Sequence, residues 1–129
     1  MKNIIVPTDF SNNAYQALVY AINFAKEFKS TIHLVNCVDS LSASGIYTDV
    51  SKILEETAQI QLSEMIDDVS SILDHVLIKS KALRGERTSA ICDYAKDVNG
   101  DILIMGTKGA TGLKEAIVGT VTEGVVKSS

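Results

Sequence analysis

Four short apolar runs, each separated from the next by a longer stretch with helical spacing, constrain this chain more than any other feature. The runs are Ile4-Ile5-Val6, the segment 31–38, the segment 75–83 around Val76-Leu77-Ile78, and Ile102-Leu103-Ile104-Met105. A short, continuous apolar run suits a parallel strand covered on both faces, because neither side of it has to meet water. Between the first two runs, Ala14, Ala17, Leu18, Ala21, Ile22, Ala25 and Phe28 recur at i, i+3, i+4 and i+7, the pattern of one buried helical stripe. Four alanines on that stripe permit close packing on a sheet. Ser11 or Asp9 caps its start, and Lys26 and Lys29 sit in its last turn, where positive charge complements the helix dipole.

The same alternation continues down the chain. A second helical stretch, 50–73, places Val50, Ile53, Leu54, Ala58, Leu62, Met65, Val69 and Ile72 on one face and acids such as Glu55, Glu64 and Asp68 elsewhere. Those acids read as a solvated helix face rather than a metal patch. The segment 75–83 alternates polar with apolar residues and carries lysines, as edge strands do. Gly85-Glu86-Arg87-Thr88 opens a third helix with Ile91, Cys92, Tyr94 and Ala95 as its apolar face, and Asn99-Gly100 stops it. A last helix is expected from about Thr120 to Lys127. The whole predicts a single α/β domain over 1–129: a three-layer parallel sheet of four strands with right-handed crossovers.

Composition narrows the function classes. Hydrophobic residues make up 46% and charged residues 22%, an ordinary globular balance. A net charge of −4 argues against nucleic acid or an acidic membrane surface as partner. No apolar run approaches the roughly 20 residues of a spanning helix, and the first residues lack the pattern of a signal peptide, so a cytoplasmic protein is expected. Cys37 and Cys92 then read as reduced, structural thiols. The absence of any CxxC, HExxH or Cys/His cluster argues against an all-protein zinc site. His33 and His75 lie at the early ends of strands, away from the carboxyl ends where open α/β sheets bind ligands, and are read as structural.

The chemistry concentrates in one place. Gly106, Gly109, Gly112 and Gly119 are half of the eight glycines, and they follow the fourth apolar run. A glycine-rich loop between a strand and a helix start is suited to an anion, since backbone N–H groups can approach phosphate oxygens closely. The string Gly, four residues, Gly-Lys-Ser/Thr does not occur, and the first strand ends Pro7-Thr8-Asp9 with no glycine, so neither a P-loop nor a dinucleotide fingerprint is present. What does occur is Gly106-x2-Gly109, nine residues, then Gly119-Thr120. Gly119 and the hydroxyl-bearing Thr120-Val121-Thr122 would sit at the mouth of the last helix, where orphan N–H groups and the dipole favour an anion. Asp9, at the end of the first strand, is an acceptor suited to ribose hydroxyls or an adenine edge. Val38, at the end of the second, offers an apolar wall.

This pattern resembles that of the nucleotide-binding branch of the universal stress protein family, G-x2-G-x9-G-S/T. The segments Ile5-Val6-Pro7-Thr8-Asp9-Phe10-Ser11 and Leu34-Val35-Asn36-Cys37-Val38-Asp39 resemble the same family, so the resemblance runs along essentially the whole chain. It implies an adenine nucleotide α-hydrolase-like, Rossmann-like sheet and an ATP site. By resemblance, Pro7, Thr8, Asp9 and Val38 lie near the nucleoside, and Met105, Gly106, Gly109, Gly119, Thr120, Val121 and Thr122 around ribose and phosphates. Lys108, inside the motif, lends charge to a phosphate. Mg²⁺ or Mn²⁺ would be held through the phosphates and waters. No activated nucleophile or positioned base is evident, so the expected role is a stress-response sensor or regulator, with at most slow ATP hydrolysis or autophosphorylation. The alternative is a nucleotide-independent dimerisation or interaction module of the same fold.

One departure stands out. The family's usual Pro-Val-Leu-Val-Val segment, a fifth strand beside the fourth, is missing before Ser129. On a 3-2-1-4-5 order the strand 102–105 would become a bare edge, which predicts a homo-oligomer or aggregation through it.

Overall fold

The computed structural model describes residues 2–38, 48–106, 116–122 and 125–128, with 48–49 and the last two stretches described by their backbone. Strand β1 (Asn3–Pro7) is central, and its middle residues Ile4, Ile5 and Val6 are fully buried. It pairs in parallel with β2 (Thr31–Val38), Ile4 opposite Ile32, and with β4 (Ile102–Gly106), Ile4 opposite Ile102. Strand β3 (Ile78–Arg84) pairs in parallel with the far side of β2. These four strands form the expected parallel sheet, in the order β3-β2-β1-β4.

Alternation along each strand divides the core into two layers. Ile4, Val6, Ile32, Leu34 and Ile104 face helices α1 (Asn12–Phe28) and α2 (Thr48–Asp68). Ile5, Val35, Leu83 and Leu103 face the other way, against Ile91 and Ala95 of α4 (Arg87–Asp97). The double covering explains why β1 is apolar without alternation.

Helix α1 follows its sequence stripe through six of seven positions, Ala14 to Ala25. Ser11 is the N-cap, its Oγ accepting from Ala14 N at 3.2 Å, and Lys29 closes the helix in the left-handed region with φ 52°. Phe28, expected on the stripe, is 50% exposed and stacks obliquely on Phe24 instead. It lies at the C-terminal end of the helix, where α1 is about to leave the sheet.

In α2 the pattern holds for Ala58, Leu62 and Met65, which are buried, but Val50, Ile53 and Leu54 are exposed. The continuous helix expected over 50–73 breaks at Val69, and a single turn, α3 (Ser70–Leu73), follows. Gln59 reaches from α2 to the β3 edge, accepting from Ala82 N and donating to Ser80 Oγ, so one outward-facing backbone group of that edge is satisfied. Tyr15 of α1 donates to Asp68 of α2 at 2.6 Å, and the acidic acceptor pushes the phenol up to about 12.

Two expectations for the last third are corrected. The described residues of the stretch from Thr120 to Lys127 are strand rather than helix: β5 (Ala116–Thr122) and β6 (Val125–Ser128) form an antiparallel extension, giving the order β3-β2-β1-β4-β5-β6. Ile117, Val118, Thr120, Val121, Thr122, Val125 and Val126 are β-branched, which favours a pleated strand over a helix. Consequently β4 is not an edge. Its outer side pairs with β5, Met105 opposite Ile117, and the premise of oligomerisation through a bare β4 is removed.

His33 is buried, at 4% exposure, on the α4 side of β2. Its Nε2 donates to Asn3 Oδ1 at 3.1 Å, and its Nδ1 lies 3.1 Å from Tyr94 Oη, a hydroxyl that can donate to the neutral ring. Burial lowers its pKa below the usual 6.5, and the charge on Lys79 adds to the effect. The unfolded chain therefore takes up a proton near pH 6.5 while the folded chain still resists it, so this residue costs stability as pH falls through and below 6.5. The slope is bounded at about 1.4 kcal/mol per pH unit for one proton. Urea denaturation between pH 8 and 5 should show a loss in the wild type that is reduced in His33→Gln; parallel pH profiles would contradict the assignment.

Candidate functional site

In an open α/β sheet the place for a ligand is the crevice outside the carboxyl ends of the strands, where neighbouring connections leave on opposite faces. Here that place lies between β1 and β4, because β1 connects through α1 while α4 covers the other face. A cavity of about 160 Å³ opens there, lined by Pro7, Asp9, Ser11, Asn13, Ala14, Arg87, Met105 and Gly106. Its volume suits a fragment, such as a sugar or a phosphate group, and its walls are mostly polar or charged.

The β1 exit is held by its own side chains. Thr8 N donates to Val35 O at 2.8 Å, and Asn36 Nδ2 donates to Thr8 O at 2.8 Å. Thr8 Oγ1 accepts from Phe10 N at 3.0 Å and contacts Met65 Sδ at 3.4 Å. Phe10 then takes a left-handed conformation, φ 66°, and Asp9 Oδ1 accepts from Ser11 N at 3.0 Å. This double side-chain turn aims the Asp9 carboxylate at the cavity rim and places Ser11 to cap α1.

The β4 exit meets α1 at Gly106. A Cβ on Gly106 would lie 2.7 Å from Asn13 O and 2.8 Å from Asn13 C. Glycine is therefore required by the first turn of α1, whose backbone cannot move aside as a side chain would. On the opposite side, α4 begins with Arg87. Glu86 caps this helix by accepting from Thr88 N and Ser89 N, at 3.1 and 3.0 Å, and these hydrogen bonds hold its carboxyl below the usual range.

The residues expected from the sequence divide into four groups. Pro7, Asp9, Met105 and Gly106 are brought together at the cavity. Thr8 and Val38 are not part of its lining and are buried, Thr8 at 4% exposure and Val38 in the core under α1 and α2. Lys108 and Gly109 lie outside the described residues. Gly119, Thr120, Val121 and Thr122 stand on β5 instead of at a helix mouth. Gly119 is opposite Leu103 and Thr120 opposite Ile102, so the segment runs back toward the amino end of β4, away from Gly106. Arg87 was not anticipated. Its only local signal is a cation at the first position of a helix that follows an edge strand.

Other features take structural roles. Cys37 and Cys92 are not joined in a disulfide, and Cys37 Sγ donates to Gly85 O at 3.3 Å. Among the described residues no group of His, Cys, Asp and Glu could hold a metal ion, and no helix is long and apolar enough to cross a membrane.

A model of the universal stress protein family matches residues 1–129. The chain belongs to that family. Universal stress protein MJ0531 of Methanocaldococcus jannaschii is 33% identical over 135 residues, covering 99% of this chain and 77% of that protein. The solved structure of MJ0577, a universal stress protein from the same organism, superimposes with a TM-score of 0.71 at 26% identity, covering 88% of this chain and 80% of that one. A universal stress protein crystallised in complex with cAMP shares the fold with a TM-score of 0.62 at 17% identity, over 87% of this chain and 80% of its own. The Rossmann-like parallel sheet is thus the family fold.

Gly106→Ala should destabilise the protein by about 1–3 kcal/mol through overpacking against Asn13, with no ligand present. Thermal unfolding of the two proteins without nucleotide checks this. An unchanged midpoint would mean that the first turn of α1 yields and that the glycine is not needed for packing.

Proposed function

We propose that this universal stress protein binds an adenine nucleotide, ATP in the first instance, at the carboxyl ends of β1 and β4. The observation that carries the reading is the meeting of Pro7 and Asp9 with Met105 and Gly106 around one cavity at the switch point of the sheet. A carboxylate beside a ribose-sized recess is suited to accept from sugar hydroxyls. Complementary support comes from the unbroken spacing of Gly106, Gly109, Gly119 and Thr120, and from a fold neighbour crystallised with cAMP.

In this reading Asp9 contacts the ribose or the adenine edge, and Pro7, Thr8 and Val38 shape the nucleoside end. Met105, Gly106, Lys108 and Gly109 serve the ribose and phosphates, together with Gly119, Thr120, Val121 and Thr122. The last four stand on β5 and run away from Gly106, so their part in the site rests on the glycine spacing alone. Mg²⁺ or Mn²⁺ enters with the phosphates rather than on a protein cage. The protein acts in the cytoplasm as a stress-response sensor or regulator, with any ATP hydrolysis or autophosphorylation slow, and a homo-oligomer would have to form through a surface other than β4.

The competing reading is an interaction module that needs no nucleotide. The exposed apolar residues Val50, Ile53, Leu54 and Ile60 on α2 favour it.

Calorimetric titration with ATP separates the two. The wild type should bind, and Gly109→Val and Gly119→Glu should weaken binding at least tenfold, about 1.4 kcal/mol. No binding by the wild type at millimolar ATP would sink the nucleotide reading and leave the interaction module.

A further inference from the structure

Arg87 lines the cavity from the face of the sheet opposite α1. It is the one cation on the wall described, and Asp9 on the β1 side is the carboxylate. The Arg87 side chain makes no hydrogen bond or ion pair with any described residue. The acid next to it in sequence is otherwise engaged: Glu86 accepts from Thr88 N, Ser89 N and Ser89 Oγ, so its charge is directed at the helix start. The same bonds occupy the amides of Thr88 and Ser89, and Ala90 N donates to Glu86 O at 2.8 Å. With those three amides engaged, Arg87 is the residue by which α4 meets the cavity.

We propose that Arg87 is a specificity-determining residue that contacts the anionic part of the ligand and makes affinity depend on its phosphate charge. The inference rests on the nucleotide reading above and adds to it a residue outside the glycine motif. The opposed charges give the cavity a direction: the hydroxyl-bearing sugar faces Asp9, and the phosphoryl oxygens face Arg87. A guanidinium matches phosphate geometry with paired N–H donors, and a lysine at the same position would supply charge without the fork. Being exposed at a helix start, Arg87 can be replaced without opening the core.

The test measures binding of ATP, AMP and adenosine to the wild type, Arg87→Ala and Arg87→Lys, each at low and at moderate salt. Arg87→Ala should bind ATP about tenfold more weakly, as expected for loss of a hydrogen bond to a charged group, with adenosine affinity unchanged. The ATP affinity of the wild type should fall with salt more steeply than that of Arg87→Ala, and Arg87→Lys should be intermediate. If Arg87→Ala binds ATP as the wild type does, or loses adenosine and ATP equally, the inference is overturned and the nucleotide site stands. If the wild type binds none of the three, the nucleotide reading and this inference fall together. Melting of each variant without ligand confirms that the protein compared is folded.

Discussion

Ile4, Ile5 and Val6 have no contact with water, and the remaining elements are placed by the need to cover both faces of that one strand. A strand buried on two sides needs a covering layer on each face, and crossover helices between parallel strands supply both layers here. Helices α1 and α2 cover Ile4 and Val6, and α4 covers Ile5. Once connections leave on opposite faces, a crevice at the carboxyl ends follows from topology. The site is in this sense a by-product of burying β1.

The crevice is defined by how the two strand ends are tied down. At β1, three hydrogen bonds from or to Thr8, together with the Asp9 to Ser11 turn, satisfy backbone groups that leave the ladder. At β4, close approach of Asn13 to Gly106 sets the distance between sheet and helix. Both devices act through α1, whose alanine stripe lets it sit low on the sheet. Stability and ligand access thereby share the same few residues, and a change at Gly106 acts on both.

Much of this was legible locally. The 3.6 period of α1, the cap at Ser11, the stop at Asn99-Gly100 and the lysine-bearing edge strand all arise from near neighbours in the chain. Failures came where distant partners decide. Phe28 and Ile53 satisfy a helical pattern, yet the sheet does not extend under them. The residues of β5 read as a helix start from their glycine and hydroxyls, but their β-branched side chains and the open side of β4 favour a strand. Gly106 signalled a close approach without saying to what, since a phosphate and a helix turn both require a missing Cβ. Arg87 reaches the cavity only because a crossover brings α4 to the end of β1, a juxtaposition with no trace in local spacing.

The most direct test of the central claim, that the β1–β4 crevice is the nucleotide site, is a ¹⁵N NMR titration with ATP. Amide shifts should concentrate at Asp9, Ser11, Asn13, Arg87 and Gly106. Shifts confined instead to the amino ends of the strands, around Lys29, His75 and Leu77, would contradict the account.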